Sequence, residues 1–231
     1  MPSSGIYSTL SSYRTDVMRL LRDANNSLYT VTDLNSFINR AIRQRDLDLG
    51  MTRLRMQMTL VSGTYDYSFA DVIASGTVLQ GNTGLNIQTL LSIIVIPMGS
   101  STSAVRYPLS RWPYTRLAPL LSTSYPTYPA AYAFYGPTTV MMGPPPAGNY
   151  ISEWDFLCYN PDLVNDADQD AMPYPYTDPV PFLASSFAKL QAQRFDEAAG
   201  FERVYNQSMA RVRGRANAIS VANPWSDFPV R

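Results

Sequence analysis

The sequence contains no histidine, a single cysteine, Cys158, and a single lysine, Lys189. Histidine is the side chain most often used for proton transfer near neutral pH, and it is a common zinc ligand. Its absence lowers the expectation of hydrolytic chemistry, and one cysteine excludes an internal disulfide. We therefore expect a protein that is not an enzyme and that holds neither a metal nor another cofactor.

The sequence also lacks a long apolar run. The longest candidate, Leu90 to Met98, has the length of a strand and is well short of the ~18 residues that a membrane helix needs. Arg14, Asp16 and Arg19 fall where a secretory signal would be apolar, so no such signal is predicted. These absences favour a protein that does not enter a membrane and is made in a cytoplasm.

The net charge is zero, which argues against general electrostatic binding of nucleic acid. The charges are nevertheless grouped along the chain. Basic residues outnumber acids in residues 1–60 and 189–215, whereas residues 150–180 carry acids and no base. Such blocks suit subunits that meet edge to edge, and they equally fit separately solvated faces.

Apolar spacing predicts two helices near the amino terminus. From Ile6 to Asp23, apolar residues recur at spacings of three and four, which is typical of an amphipathic helix. A second helix is predicted to begin at Thr30, Thr32 or Asp33 and to end near Gly50. Its apolar stripe comprises Leu34, Phe37, Ile38, Ala41, Ile42 and Arg45, and its opposite face comprises Arg40, Arg43, Gln44 and Asp46.

The middle of the chain has the pattern of strands. A period of two at residues 53–60 predicts a half-buried strand, and residues 90–97 predict a buried one. Residues 74–86, rich in Gly, Ser, Asn and Thr, are predicted to be a mobile loop at the tip of a hairpin. Prolines between positions 107 and 129 exclude a long helix and leave one short turn at 116–121.

A hairpin is predicted where residues 131–135 and 138–142 flank Gly136-Pro137. Residues 151–159 predict the next strand, on which Trp154, Phe156 and Cys158 face one way. We expect these three strands to form one small antiparallel sheet.

The carboxyl-terminal part predicts a connector and two more helices. Residues 160–181 are acidic and interrupted by prolines, which favours an extended connector. An apolar stripe then runs from Phe182 to Val212 with a weak point at 196–200. The expected fold class is α+β: an antiparallel helix bundle formed by the N- and C-terminal helices, with an inserted antiparallel β lobe and an extended C-terminal arm. The expected parts are the N-terminal helices (1–50), the β lobe (51–160), the connector (161–181), the C-terminal helices (182–215) and the arm (216–231).

Alternating acids at Asp166, Asp168 and Asp170 are similar to the start of a calcium-binding loop. The sixth and twelfth positions of that loop would hold Ala171 and Thr177, where glycine and glutamate are required. We therefore predict a solvated acidic linker here.

One carboxylate pair has the spacing that glycoside hydrolysis could use. Glu153 and Asp155 lie two apart on a predicted strand and so share a face. Such pairs usually form the wet side of a sheet, which is the interpretation we favour. Gly143–Pro146 predicts no phosphate-binding loop, because proline lacks the backbone donor that such loops use.

Three arginines, Arg211, Arg213 and Arg215, cluster near the end of the last predicted helix. Cations are favoured at a helix C-terminus, where the macrodipole is negative. The same side chains suit contacts with DNA phosphates or with an acidic patch on a neighbouring subunit, such as residues 162–170. Both interpretations remain open.

The predicted arm carries Pro224, Trp225, Phe228 and Arg231 in a segment without helical or strand periodicity. Large aromatic residues on an extended segment are efficient anchors in a partner's groove. The alternative is that the arm folds back onto its own domain.

Taken together, these segments resemble the head-to-tail adaptor proteins of tailed bacteriophages, especially the connector rings of short-tailed phages. The resemblance spans nearly the whole chain. It rests on Tyr13–Asp23, on Asp33–Ala41, on the tyrosine-rich and apolar strands from Tyr132 to Pro146, on Trp154–Pro161, and on the closing helices with Tyr205 in the second.

The resemblance implies a structural virion protein at the head-tail junction, made in the cytoplasm of a bacterial host. It implies a self-assembled ring, commonly a dodecamer, that joins the portal protein to a tail nozzle or tail tube protein. Double-stranded DNA would pass transiently through its lumen, and the arm with Pro224, Trp225, Phe228 and Arg231 would dock on the portal. Because an arm that orders on binding loses conformational entropy at that moment, we expect the free protein to be monomeric or weakly associated.

Two alternatives from other classes remain at this stage. The proline- and tyrosine-rich β segment suits a carbohydrate-binding or tail-associated module, whose exposed aromatic rings would stack on sugars. A cell-wall hydrolase would have to use Glu153 and Asp155.

Overall fold

The structure is a computed structural model that describes residues 7–23, 28–81, 84–97, 105–121 and 126–219, with side chains described as far as Gly214. The chain divides into two compact units. We call residues 1–49 and 160–231 the helical unit and residues 50–159 the β unit. The fold class is α+β, as the sequence predicts.

The described residues form helices and mostly antiparallel strands. The helices are α1 (Leu10–Leu21), α2 (Val31–Leu49), α3 (Phe69–Ser75), α4 (Tyr114–Leu117, followed by a 3₁₀ turn at Ala118–Leu120), α5 (Val180–Gln191) and α6 (Phe195–Ile219). The strands are β1 (Tyr7–Thr9), β2 (Arg53–Leu60), β3 (Asp66–Ser68), β4 (Thr77–Gln80), β5 (Asn86–Pro97), β6 (Tyr107–Pro108), β7 (Ser110–Arg111), β8 (Ala131–Phe134), β9 (Thr139–Gly143), β10 (Tyr150–Tyr159) and β11 (Gln169–Pro173). None of the helices described is long and apolar enough to cross a membrane.

In the helical unit, α5 is the central element and contacts α1, α2 and α6. Small residues on α5, among them Ala184, Ser185 and Ala188, are fully buried, which lets the neighbouring helices approach closely. Apolar side chains from all four helices form one core, including Val17, Ile38, Leu183 and Met209.

The boundary between α5 and α6 differs from the prediction. The weak point predicted at 196–200 is wrong, because α5 ends at Gln191 and Gly200 lies inside α6. Gln193 turns the chain with a φ of 58°. Asp196 and Glu197 occupy the first turn of α6, where carboxylates are favourable to the helix dipole, so they begin a helix and do not interrupt one. The helix extends to Ile219 and therefore includes the first residues of the predicted arm.

The described residues of the β unit form two sheets, and the prediction of one sheet is wrong. The five-stranded sheet has the order β4-β2-β10-β5-β6, and the four-stranded sheet has the order β3-β9-β8-β7. The predicted hairpin β8–β9 therefore lies in one sheet and β10 in the other. Pro144, Pro145 and Pro146 follow β9 and cannot donate the backbone hydrogen bonds of a tight turn. β10 pairs with β2 on one side and with β5 on the other.

The core of the β unit joins the two sheets. Trp154, Phe156 and Cys158 are fully buried on one face of β10, which confirms the predicted alternation. The ring of Phe156 lies 5.1 Å from that of Phe69, and Trp154 lies 6.2 Å from Tyr67, both edge to face. Such pairs add specificity to the apolar burial.

The prediction of a mobile loop at 74–86 is also wrong, because this stretch includes the end of α3 and the strand β4, which pairs with β2. Its glycines serve close packing. A Cβ on Gly76 would lie 2.4 Å from the carbonyl oxygen of Val72. Gly81 has a φ of 98°, and a Cβ there would lie 2.6 Å from the carbonyl oxygen of Arg53.

Candidate interaction surfaces

A fully buried ionic cluster lies in the helical unit. Arg45 donates from Nη1 to Asp170 Oδ2 at 2.5 Å and from Nη2 to Asp46 Oδ1 at 2.7 Å, and none of the three side chains in these ion pairs is exposed. Tyr13 donates its hydroxyl to Asp170 Oδ2 at 2.6 Å. Asp46 Oδ2 accepts from the backbone and side-chain nitrogens of Asn160, each at 2.9 Å. The cluster thus links α1 and α2 to the acidic segment.

Burial and charge set the protonation of this cluster. Burial raises the pKa of Tyr13, and the charge of Asp170 raises it further, so the phenol stays a donor. Burial alone would favour neutral Arg45, but the charge of Asp170 and the hydrogen bond to it outweigh burial and raise the pKa of Arg45. Burial likewise raises the pKa of Asp46, and the charge of Arg45 opposes this.

Two predictions about these acids are wrong. Asp46 was expected on the outer face of the second helix and Asp170 in a solvated linker, yet both are buried. One feature of the sequence indicates a buried carboxylate. Arg45 lies within an apolar stripe, and a buried arginine requires a buried partner of opposite charge. The pattern gave no means of identifying the partner, because Asp170 lies 125 positions away.

The rest of the acidic segment is folded as well. Asn39 exchanges two hydrogen bonds with the backbone of Leu163, at 2.9 and 3.0 Å. Asp168 accepts the backbone N–H groups of Val164 and Asn165, each at 2.8 Å. The bond from Asn165 lowers the pKa of Asp168 most, and the bond from Val164 lowers it further. β11 pairs with β1 in an antiparallel ribbon. The predicted extended connector is therefore a structured part of the helical unit, and within the described ranges no group of three or more acids, cysteines or histidines could hold a metal ion.

The carboxylates Glu153 and Asp155 lie on one face of β10 and are paired with arginines. Glu153 is buried, contrary to the expectation of a wet face, and its Oε2 pairs with Arg55 and with Arg106, the latter at 2.9 Å. Asp155 pairs with Arg53 at 3.2 Å. A cavity of about 460 Å³ lies beside these pairs. These ion pairs join β10 to β2 and to Arg106, and each engages one oxygen of its carboxylate, Oε2 of Glu153 and Oδ2 of Asp155.

The single cysteine is not arranged as a nucleophile. Cys158 is buried, and burial raises the pKa of its thiol to about 11. At neutral pH it is therefore almost entirely protonated, whereas a reactive cysteine requires a thiolate.

The three predicted arginines of α6 differ in their surroundings. Arg213 donates from Nη2 to the carbonyl oxygen of Asp48 at 2.7 Å, and the carboxylate of Asp48 accepts the hydroxyl of Tyr205 at 2.7 Å. Arg211 is exposed, and the side chain of Arg215 lies outside the described residues. All three lie at least one turn before the end of α6, so the helix dipole, which acts within the last turn, does not account for them.

An open groove lies on the helical unit between α1 and α6, with α5 as its floor. Two cavities of about 680 and 450 Å³ form it, and Leu20 and Val204 line both. The larger is also lined by Arg22, Lys189, Arg194, Glu197, Gly200 and Phe201. The smaller is also lined by residues including Asp16, Arg19, Phe182, Ser208 and Arg211. We call this feature the α1–α6 groove.

The β unit exposes aromatic side chains around the β8–β9 turn. Tyr135 is 62% exposed, and its ring lies 5.0 Å from that of Tyr114. Nearby in the chain, the guanidinium of Arg116 lies over the ring of Trp112 at 4.0 Å. The rings of Tyr114 and Tyr135 are exposed. The predicted anchors Pro224, Trp225, Phe228 and Arg231 lie outside the described residues.

In the described residues, Asp46, Asp170 and Cys158 are buried, while a groove, Arg211 and two tyrosine rings are presented on the surfaces of the units. The family model described as SU10 adaptor protein matches residues 8–226. The chain therefore belongs to the SU10 adaptor protein family, and the predicted resemblance to phage head-to-tail adaptors is confirmed. No curated protein matches the chain. The family is one of structural phage proteins, so the chain is a bacteriophage adaptor and a virion component.

Proposed function

We propose that this adaptor forms a homo-oligomeric ring, commonly a dodecamer, that joins the portal protein to a tail nozzle or tail tube protein. The observation that carries the proposal is the family match over residues 8–226. The ring surrounds part of the channel through which double-stranded DNA leaves the head. Rings of this kind arise when each subunit presents two different surfaces to its two neighbours.

The helical unit supports docking on the portal. Its last helix, α6, leads directly into residues 220–231, which carry Pro224, Trp225, Phe228 and Arg231. A short arm with two aromatic anchors binds weakly by itself, but many arms on one ring engage many portal grooves at once. Assembly would then wait for the portal, and the free protein would be monomeric or weakly associated.

We propose that the arginines of α6 have different roles, with some contacting other molecules and Arg213 contacting its own chain. Arg211 is exposed and is free in position to meet a neighbouring subunit or a DNA phosphate, whereas Arg213 already contacts Asp48 of its own chain. The acidic patch proposed as partner is also partly engaged, because Asp162 pairs with Arg43 at 2.8 Å and Asp166 with Arg14 at 2.6 Å. We therefore assign Arg211, with Arg215, to the contact between subunits or with DNA.

Electron microscopy of the purified protein mixed with its portal protein tests the proposal. We expect symmetric density of adaptor subunits at the narrow end of the portal, and no closed ring from the protein alone. Replacing Trp225 and Phe228 with alanine should abolish this density, while the matched change of Tyr174, an exposed aromatic outside the arm, should leave it intact. A stable ring without portal, or portal binding that survives loss of both anchors, would contradict the docking mechanism.

A carbohydrate-binding module is a second candidate, favoured by the exposed pair Tyr114 and Tyr135. A glycan array discriminates between the two functions. Glycan binding that is lost on Tyr135→Ala would support the second candidate. An array on which no glycan binds would reject it.

A further inference from the structure

The five-stranded sheet of the β unit, with the order β4-β2-β10-β5-β6, is open at both sides. At one side, β4 pairs with β2 and has no second partner strand among the described residues. At the other side, β6 covers only Ile94 and Val95, so within the described ranges residues 86–92 of β5 pair with β10 alone. An open edge presents backbone N–H and C=O groups that can pair with a strand of another chain.

Both open edges lie in a part of the chain that carries no charge. Residues 72–105 contain no Asp, Glu, Lys or Arg, although charged residues make up 16% of the whole chain. Natural edge strands are usually protected by charged side chains, above all lysine, or by proline. Neither β4 nor residues 86–92 contains any of these. The composition therefore favours edges that are paired in the assembled protein, since an unprotected edge is otherwise a site of aggregation.

Each open edge also exposes a leucine. The pairing of β4 with β2 skips Leu79, and that of β5 with β10 skips Leu91, so each leucine is the extra residue of a β-bulge. Leu79 is 45% exposed and Leu91 is 39% exposed. Bulges can protect an edge, but these two direct an apolar side chain toward solvent, where contact with another copy would bury it.

The strands at the two edges run in opposite directions. Every pairing from β4 through β2 and β10 to β5 is antiparallel, so β4 is antiparallel to β5. If β4 of one copy lies beside β5 of another, the antiparallel order of the sheet continues across the contact. β4 has four residues and the open part of β5 has seven, so the whole of β4 finds room there.

A contact of this kind is heterologous, because it joins two different edges. Each copy uses its β4 edge toward one neighbour and its β5 edge toward the other. Repetition of a heterologous contact produces a ring when the rotation between copies closes. Pairing of two β5 edges about a two-fold axis would instead stop at a dimer.

We propose that β4 of one adaptor copy adds to the open edge of β5 in the next copy, with Leu79 and Leu91 packed in the contact. This inference rests on the proposed ring and names the surfaces that join its subunits. A four-residue strand makes a small contact, which agrees with a free protein that associates weakly. Many such contacts act together once the copies are collected on a portal.

Disulfide trapping in the full chain tests the contact. The variant Leu79→Cys with Leu91→Cys places one thiol at each edge, while the native Cys158 is buried. Within one copy, β2 and β10 separate these positions by about 14 Å, at ~4.8 Å per strand, which is too far for a disulfide. The control pairs Leu79→Cys with Val61→Cys, which is 57% exposed and lies outside both edges.

The variants are oxidised both as concentrated protein and together with the portal protein. We expect the first pair to give a ladder of linked copies at least about tenfold faster than the control, and faster still with portal. Equal rates in the two pairs would mean that the edges do not meet. Dimers from Leu91→Cys alone, without a ladder from the double variant, would assign the β5 edge to two-fold pairing and overturn the proposal.

These outcomes separate the contact from the proposed function. A ring on the portal without a disulfide ladder rejects the contact and keeps the function. A ladder in concentrated protein that never binds the portal rejects the function and keeps the contact.

A second measurement does not depend on added thiols. Leu91→Lys places at the β5 edge the residue that natural edges use for protection, and it should lower the number of adaptor copies bound per portal at least about tenfold. Val61→Lys should leave that number unchanged. Both variants should unfold at the same urea concentration as the original chain, because both side chains are exposed in the subunit. Full occupancy of the portal by a stable Leu91→Lys protein contradicts the proposal.

Discussion

Replacing Asp170 with alanine removes the acceptor around which the buried cluster of the helical unit is built. Asp170 accepts hydrogen bonds from the hydroxyl of Tyr13, from both Nη atoms of Arg45 and from the backbone N–H of Met172, the last at 2.9 Å. Arg45 Nη2 also has Asp46, so three donors are left without an acceptor: the Tyr13 hydroxyl, Arg45 Nη1 and the Met172 N–H.

The expected loss follows from these three donors. Each buried donor without a partner costs about 1–3 kcal/mol. The variant also removes the repulsion between Asp46 and Asp170 and leaves Arg45 paired with Asp46 alone. This offsets part of the loss. We expect the free energy of unfolding of the helical unit to fall by about 3–5 kcal/mol, the range found when one member of a buried ion pair is removed.

Urea unfolding followed by circular dichroism at 222 nm measures this change, because most of the described helix lies in the helical unit. Asp166→Ala is the matched control: Asp166 pairs with Arg14 but its side chain is 70% exposed, so the cost should stay below about 1 kcal/mol. Asp170→Asn keeps one oxygen acceptor, so its loss in the free energy of unfolding should lie between those of Asp170→Ala and Asp166→Ala. Equal stability of Asp170→Ala and Asp166→Ala would refute the assignment of the cluster as a structural centre.

Further predictions concern other parts of the molecule. Cys158, whose thiol pKa is raised by burial to about 11, should react with a disulfide reagent at pH 8 at least ~100-fold more slowly in the native protein than in urea; fast native labelling would contradict its burial. Since this pKa lies above the ordinary value of a thiol, about 9, the thiol's contribution to stability is complete below pH 9 and is lost as the pH rises toward 11. Gly81→Ala should lower the stability of the β unit by about 1–3 kcal/mol, measured by tryptophan fluorescence in urea, whereas Gly136→Ala, with open space around it, should change it by less than about 1 kcal/mol. Tyr205→Phe removes a hydrogen bond to Asp48 and should cost about 1 kcal/mol, and no loss by urea unfolding would mean that this bond does not stabilise the native state.

The sequence predicts those elements whose periodicity is local. The alternation of Arg53–Leu60 gives β2 with the bounds that the structure has, and the stripe that begins at Leu34 gives α2. Both patterns depend on residues two to four positions apart, where apolar side chains must share one face.

The sequence does not predict features that depend on distant partners. The acidic and polar neighbours of Asp170 favour a linker, whereas its burial is explained by distant partners such as Arg45, 125 positions away. The separation of β8–β9 from β10 likewise depends on pairing with β2 and β5, which adjacent residues do not reveal. The α1–α6 groove is a space between helices, and no single segment encodes it.

The position of the β unit within the chain explains why the buried cluster matters. The chain leaves the helical unit at Leu49 and returns at Asn160, so α2 and the acidic segment would have to close a loop of roughly 110 residues. Within the β unit, the N–H of Cys158 donates to the carbonyl oxygen of Thr52 at 2.9 Å, and β2 and β10 pair along their length. A folded β unit therefore shortens the loop to a few residues. Each halving of loop length saves about 0.6 kcal/mol, so a shortening by more than four halvings is worth about 2–3 kcal/mol to the helical unit. The bonds from Asn160 to Asp46 then fix the returning chain beside α2, next to the Arg45 cluster.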